Sequence, residues 1–291
     1  MKKYSHSPSL LVRSLLGQVM PKQRRSSEVT RLFSILSSIE PEHVTIGFFE
    51  RPGTIIYAES SLYSKTNKSW VKCFEKVFPQ RGLHFVNVSI FDTSSKEEWK
   101  GNPYAHIRHA EIELANDISS FPCPVLVTRG GLPSMVAQFY LESFALSGLV
   151  MVDPFVLPEI ASSSATPSNR TSTSCRKLFQ EERLQAQNET QDNCAELHLL
   201  QLLSSSSEYS GKEALVLKME PSSVPMLLLY PSIISPLEQS SNEEWYKICV
   251  EITAEYHNSM EETVSVQQLQ QGPKALEALD AIVTWLDDKV S

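Results

Sequence analysis

The stretch that decides the fold is Pro124 to Pro154, PVLVTRGGLPSMVAQFYLESFALSGLVMVDP. It opens on the apolar run Val125 to Thr128, turns at Gly130-Gly131, and places Pro133 where the first turn of a helix leaves an amide hydrogen unused. The helix that follows is predicted to run to about Ala145 and to bury Met135, Val136, Phe139, Tyr140 and Phe144. Gly148 then releases the chain into the strand Leu149 to Val152. A strand, a tight turn, a helix and a second apolar strand make one βαβ unit, which implies parallel pairing.

Outward from this unit the same alternation repeats. A helix-like segment spans Ser27 to Ser38, and two apolar runs, His43 to Phe49 and Thr54 to Ala58, flank the turn Arg51-Pro52-Gly53 as neighbouring strands. Ser69 to Phe78 sets Trp70, Val71, Phe74, Val77 and Phe78 on one helical face, and Gly82 ends that unit before the strand Leu83 to Ile90. A helix around Tyr104 to Ile118 precedes the central stretch. After it come the strand Val224 to Tyr230, a helix around Glu243 to Tyr256, and the strand Thr263 to Leu269. The final helix, Lys274 to Val290, buries Leu276, Leu279, Ile282, Val283 and Leu286. The fold class is α/β, a mostly parallel sheet with helices on both faces.

Between Pro154 and Val224 the alternation breaks. Ala161 to Ser174 (ASSSATPSNRTSTS) has too little apolar mass to offset the entropy of ordering and is expected to be disordered. Phe179 to Leu203 reads as helical, with Leu184 among its apolar residues. The organisation is thus a leader or tail at 1–27 and a domain at 28–291 interrupted by an insertion at 155–223.

The order of elements and the Pro124 to Pro154 segment resemble the α/β-hydrolase superfamily. In that family a G-x-S-x-G corner lifts a serine above the sheet and aims backbone amides and the helix dipole at the oxyanion. Matched without gaps, the corner falls on Arg129-Gly130-Gly131-Leu132-Pro133, so Gly131 stands where the resemblance puts serine, and no G-x-S-x-G occurs in the 291 residues. The family's acid position follows the strand Val224 to Tyr230, where Pro231-Ser232-Ile233-Ile234-Ser235 offers no carboxylate. Its histidine position, Gln267 to Lys274, holds none, and its oxyanion-hole turn maps to Glu59-Ser60. The insertion 155–223 takes the place of the family's cap.

The joint absence implies a degenerate member, more an α/β-hydrolase-like pseudoenzyme than an enzyme, in which the vacated site binds a small molecule or a protein partner. The alternative is a divergent α/β-hydrolase acting on an ester or similar small substrate. Its candidates are Ser134, three residues past the corner, Asp153 at the next strand end, and a histidine from His106, His109 or His257. Arg129, Gly130 and Gly131, at a helix N-terminus, are the candidate anion-binding group. His106 and His109 sit three apart on a helix without a third ligand in sequence, and the five cysteines show no C-x-x-C spacing, so neither a metal nor a cofactor is expected. Cys123 reads as structural.

Charge narrows the partners. Residues 1–27 hold six of the 26 basic residues and no acid, which leaves 20 basic against 34 acidic residues in the remainder, or −14. A body so acidic repels phosphate backbones, so no nucleic-acid partner is expected. The basic, Ser-rich leader has the composition of an organellar transit peptide, which points to mitochondrion or plastid, with the cytoplasm as the alternative. No apolar run approaches bilayer length, and no membrane span is expected.

Overall fold

A computed structural model describes residues 35–41, 53–91, 103–154, 169–189, 195–205, 224–231, 264–270 and 275–290. The chain divides into two compact units, Met1–Leu32 and Phe33–Ser291, and every described residue belongs to the second. The expected elements at His43 to Phe49 and Glu243 to Tyr256 lie outside the described residues, as does His257.

Seven strands form one sheet: β1 (Ile35–Ile39), β2 (Thr54–Ser60), β3 (His84–Ile90), β4 (Val125–Arg129), β5 (Gly148–Val152), β6 (Met226–Pro231) and β7 (Val264–Leu269), in the order β1-β3-β2-β4-β5-β6-β7. All neighbours pair in parallel except β1, which runs antiparallel to β3 at the edge. The helices are α1 (Ser64–Gln80), α2 (Pro103–Ile118), α3 (Gly131–Leu141), α4 (Asn169–Glu189), α5 (Ala195–Ser205) and α6 (Ala275–Trp285), the last running into a π-helical turn at Leu286–Val290.

The central strands are buried on both faces, as their unbroken apolar runs require. One face packs against α1 and α6 through Trp70, Phe74, Phe78, Leu279, Ile282 and Trp285. The other packs against α2 and α3 through Ile107, Leu114, Met135 and Phe139, and α4 and α5 add Phe179, Ala186, Leu199 and Leu200 to the same cluster. Arg108 of α2 pairs with Glu111 one turn on in the same helix (2.8 Å) and pins the end of α3 through Glu142 (2.7 Å), with its guanidinium 4.2 Å over the Phe139 ring. Where β5 begins, a Cβ on Gly148 would lie 2.6 Å from Cη2 of Trp285, so only glycine lets the strand pass that ring.

Several expectations are corrected. Ile35–Ile39 is a strand and not the end of a helix, because Ile35, Ser37 and Ile39 alternate in burial with the exposed Leu36 and Ser38, a period of two. The helix α3 stops at Leu141, leaving Phe144 41% exposed and stacked on Tyr140 at 4.8 Å. The helix α4 starts at Asn169, taking in the end of the segment Ala161 to Ser174. Phe179 to Leu203 belongs to two helices, α4 and α5. Leu184 and Leu276, both assigned to apolar faces, point to solvent at 59% and 65% exposure. The buried faces are centred instead on Phe179, Glu182 and Ala186 in α4 and on Leu279 and Ile282 in α6.

Candidate functional site

The topology locates the site before any side chain is considered. From β2 the chain moves to β3 on one side and then returns over β2 to β4 on the other, so the connections leaving the carboxyl ends of β2 and β4 diverge. A crevice opens at such a switch point, and it is where doubly wound sheets place their ligands. Its walls here are the turn Ser60-Ser61-Leu62 after β2 and the corner Arg129-Gly130-Gly131 after β4.

The corner is realised as a sharp strand-to-helix turn. Its strained residue is Gly130, with φ 88° and ψ 169°, and Gly131 is already the first residue of α3. The turn therefore falls one residue earlier than the gap-free match to Gly131 implies. That region of backbone space is open essentially to glycine alone. The Gly130 amide donates to Val152 O at 2.8 Å, which carries the β4–β5 pairing through the corner.

A glycine N-cap has no side-chain oxygen, so it cannot satisfy the first free amides of its helix. Glu182 of α4 supplies the acceptor from 51 residues away. Its Oε1 takes the Gly131 N–H at 3.2 Å, and the residue is 4% exposed. The carboxylate lies at the positive end of the α3 dipole. All eleven residues of α3 are buried, which makes this helix start an interior feature.

The second wall of the crevice is closed in the same manner. Glu196, in the first turn of α5, reaches the turn after β2 and accepts four hydrogen bonds. Oε1 takes Ser60 Oγ (2.8 Å) and Ser61 N (3.1 Å), while Oε2 takes Ser61 Oγ (2.7 Å) and Leu62 N (3.0 Å). Four donors match the lone pairs a carboxylate offers. Burial nevertheless dominates and pushes the Glu196 carboxyl up to about 7, with the bonds from Ser61 and Ser60 pulling the other way.

The remaining candidates are placed as follows. Ser134 is wholly buried, and its hydroxyl donates to Gly130 O at 2.7 Å, with Thr128 Oγ1 at 3.3 Å. This is the i−4 back-bond common for serine inside a helix. Asp153 follows β5 with φ 53°; its amide donates to Leu229 O, and its Oδ1 has no hydrogen-bond partner among the described residues. Burial raises the Asp153 carboxyl to about 6, against the attraction of Arg129. Arg129 does not join the two glycines at the Glu182 seat. Alternation along β4 turns its side chain to the opposite face from Thr128 and Ser134, where it lies 4.8 Å over the Trp70 ring and hydrogen-bonds Tyr57. Burial raises the Tyr57 hydroxyl, and Arg129 opposes the shift.

His109 faces Glu113 at 3.5 Å, and His106 meets His198 edge-on at 6.3 Å. Among the described residues no group of three or more His, Cys, Asp or Glu is arranged to hold a metal, and no helix is long and apolar enough to cross a membrane. Cys123 is exposed.

The sequence reading missed both Glu182 and Glu196. A signal existed for the first: Phe179, Glu182 and Ala186 share one face of α4 at helical spacing, so a charged residue lies in an apolar stripe. Glu196, just before a leucine-rich run, is indistinguishable from an acid stabilising its own helix start.

No protein-family model matches the chain, and no curated protein matches it. Among solved structures, the chain is similar to MenH from S. aureus at 12% identity, over 87% of this chain and 97% of that one, with a TM-score of 0.48. It is similar to an esterase from Exiguobacterium antarcticum at 10% identity, over 87% and 94%, with a TM-score of 0.47. It is also similar to 2-hydroxy-6-oxo-6-phenylhexa-2,4-dienoate hydrolase from Rhodococcus sp. strain RHA1, at 13% identity over 81% and 89%, with a TM-score of 0.46.

Proposed function

We propose that this protein is a non-catalytic α/β-hydrolase-like protein whose vacated crevice serves recognition of a small molecule or a protein partner. The observation that carries the reading is the pairing of Gly130 at the strained corner with the buried Glu182 carboxylate on the Gly131 amide. In a working elbow the residue at the strained turn is the nucleophile, and the next amide stabilises the oxyanion. Here the first has no side chain. The second already donates to the Glu182 carboxyl oxygen, so the donor that catalysis needs for developing charge is occupied.

The alternative nucleophile fits poorly. Ser134 spends its proton on Gly130 O, so a base would have to break that bond before attack. Asp153 answers to Arg129, and its buried Oδ1 makes no hydrogen bond to a histidine among the described residues.

A fluorophosphonate probe and a panel of simple esters test this directly. The expected result is no labelled serine and no turnover above buffer. Labelling at Ser134 together with turnover that Ser134→Ala abolishes would overturn the proposal.

A further inference from the structure

We infer that Glu182 and Glu196 form a two-point latch by which the cap helices α4 and α5 close the crevice at the switch point, so that the protein's own cap occupies the vacated site. The inference rests on the proposed non-catalytic reading only in taking those seats as vacated.

Each helix delivers one carboxyl group to one wall. On α4, Glu182 is turned inward with Phe179 and Ala186, while Lys177 and Leu184 stay exposed and Glu181 is half-buried. On α5, Glu196 lies inward with Leu197, Leu199, Leu200 and Leu203. The contacts join residues far apart in sequence, 51 positions for Glu182 to Gly131 and 134 to 136 for Glu196 to the turn after β2. Neither contact follows from local structure, so each reports how the cap is seated on the sheet.

The seats are chemically specific. The Gly131 amide carries the α3 dipole behind it, and the Ser61 and Leu62 amides leave the end of β2 side by side. These are the two positions from which an elbow fold donates to an oxyanion. Leaving the buried Gly131 and Leu62 amides without an acceptor is costly, so the cap carboxyl groups and any anionic ligand compete for the same donors. An anion reaches the crevice only as the cap lifts.

Hydrogen exchange on the full chain tests the latch. In the unaltered protein the amides of Gly131, Ser61 and Leu62 should exchange together with those of α4 and α5, and faster than those of β4 and β5. In Glu182→Ala and Glu196→Ala, cap exchange should rise about tenfold, the effect of losing a hydrogen bond to a charged group, while the central strands keep their protection. Glu181→Ala, one residue away on α4, should leave it unchanged. The latch is overturned if the seat amides exchange with the sheet in the unaltered protein, or if neither alanine variant loosens the cap ahead of the strands. The fluorophosphonate assay on the same variants separates the two claims. Loosened caps with new serine labelling and ester turnover keep the latch and overturn the non-catalytic reading; an unmoved cap without turnover does the reverse.

Discussion

Around Phe74 four aromatic rings, those of Tyr57, Trp70, Phe78 and Phe85, stand 5.2 to 6.2 Å away and seal one face of the sheet. Around Glu182, α4 meets the strand-to-helix corner through a hydrogen bond from the Gly131 amide. The two regions are both buried, yet they hold by different physics. The first is non-directional apolar burial, which tolerates small shifts and fails as a whole. The second adds directed polar bonds to the apolar contacts of Phe179, Ala186, Leu199 and Leu200, and on the proposed latch their loss opens one segment before the rest. On the proposed latch, the sheet sets global stability and α4 and α5 open in a smaller, separable equilibrium.

The largest effect expected from breaking this contrast is in the aromatic cluster. Phe74→Ala removes a wholly buried ring and leaves a cavity, and it should cost about 3 to 5 kcal/mol of global stability. Denaturant unfolding followed by far-ultraviolet circular dichroism measures it. A loss confined to α4 and α5 would contradict the division drawn between sheet and cap.

The next effect is a pH dependence with its sign set by burial. Glu196 has a folded value of about 7 against an ordinary 4.5, and Asp153 about 6 against 3.8. In each case the folded state binds the proton more tightly, so the unfolded chain ionises first as pH rises. Stability contributed by these groups is therefore present below pH 4 and falls between about 4 and 7, then stays flat. For Glu196 alone the fall is on the order of 3 kcal/mol. Glu196→Gln, which cannot ionise, should flatten the slope between pH 5 and pH 8. Unfolding free energies at those two pH values, compared between variant and wild type, check it; an unchanged slope refutes the assignment.

A smaller effect tests the strained corner. Gly130→Ser places a hydroxyl there but forces a side chain into backbone angles reserved for glycine. It should cost about 1 to 3 kcal/mol and confer no ester turnover, because the Glu182 carboxylate still occupies the neighbouring amide. Thermal unfolding and an esterase assay on one preparation measure both. Turnover in this variant would show that Glu182 at the Gly131 amide does not block ester chemistry at this corner.

The same contrast explains how much was legible in the sequence. The strands β2 to β7 and the helices α1, α2, α3 and α6 carry runs or periodicities of apolar residues, because the sheet is held by burial and burial leaves a pattern. At Ile35 to Ile39 the run was too short to separate period two from a helix end, and antiparallel pairing with β3 decided it. The corner was found from its glycines, although the strain settles on Gly130, since which of two adjacent glycines turns is decided by the pairing of the Gly130 amide with Val152. Glu182 and Glu196 were not legible. Polar seats built across 51 and about 135 residues have no spacing to read, and an acid near a helix start has a local explanation that hides the distant one.

The smallest expected effect probes the outer side of the cap, where sequence and structure part most plainly. Leu184 belongs to the apolar content of α4 by sequence, yet it is 59% exposed, whereas Glu182 two residues earlier is 4% exposed. On a helix, two residues apart means nearly opposite faces, so burying Glu182 expels Leu184. Leu184→Gln should therefore move the denaturant midpoint by less than about 0.5 kcal/mol in free energy and leave cap exchange as it was, as surface substitutions do. A loss above about 1 kcal/mol would mean that Leu184 is covered in the folded chain, and the inward face of α4 would then have to be centred on the leucine instead of the glutamate.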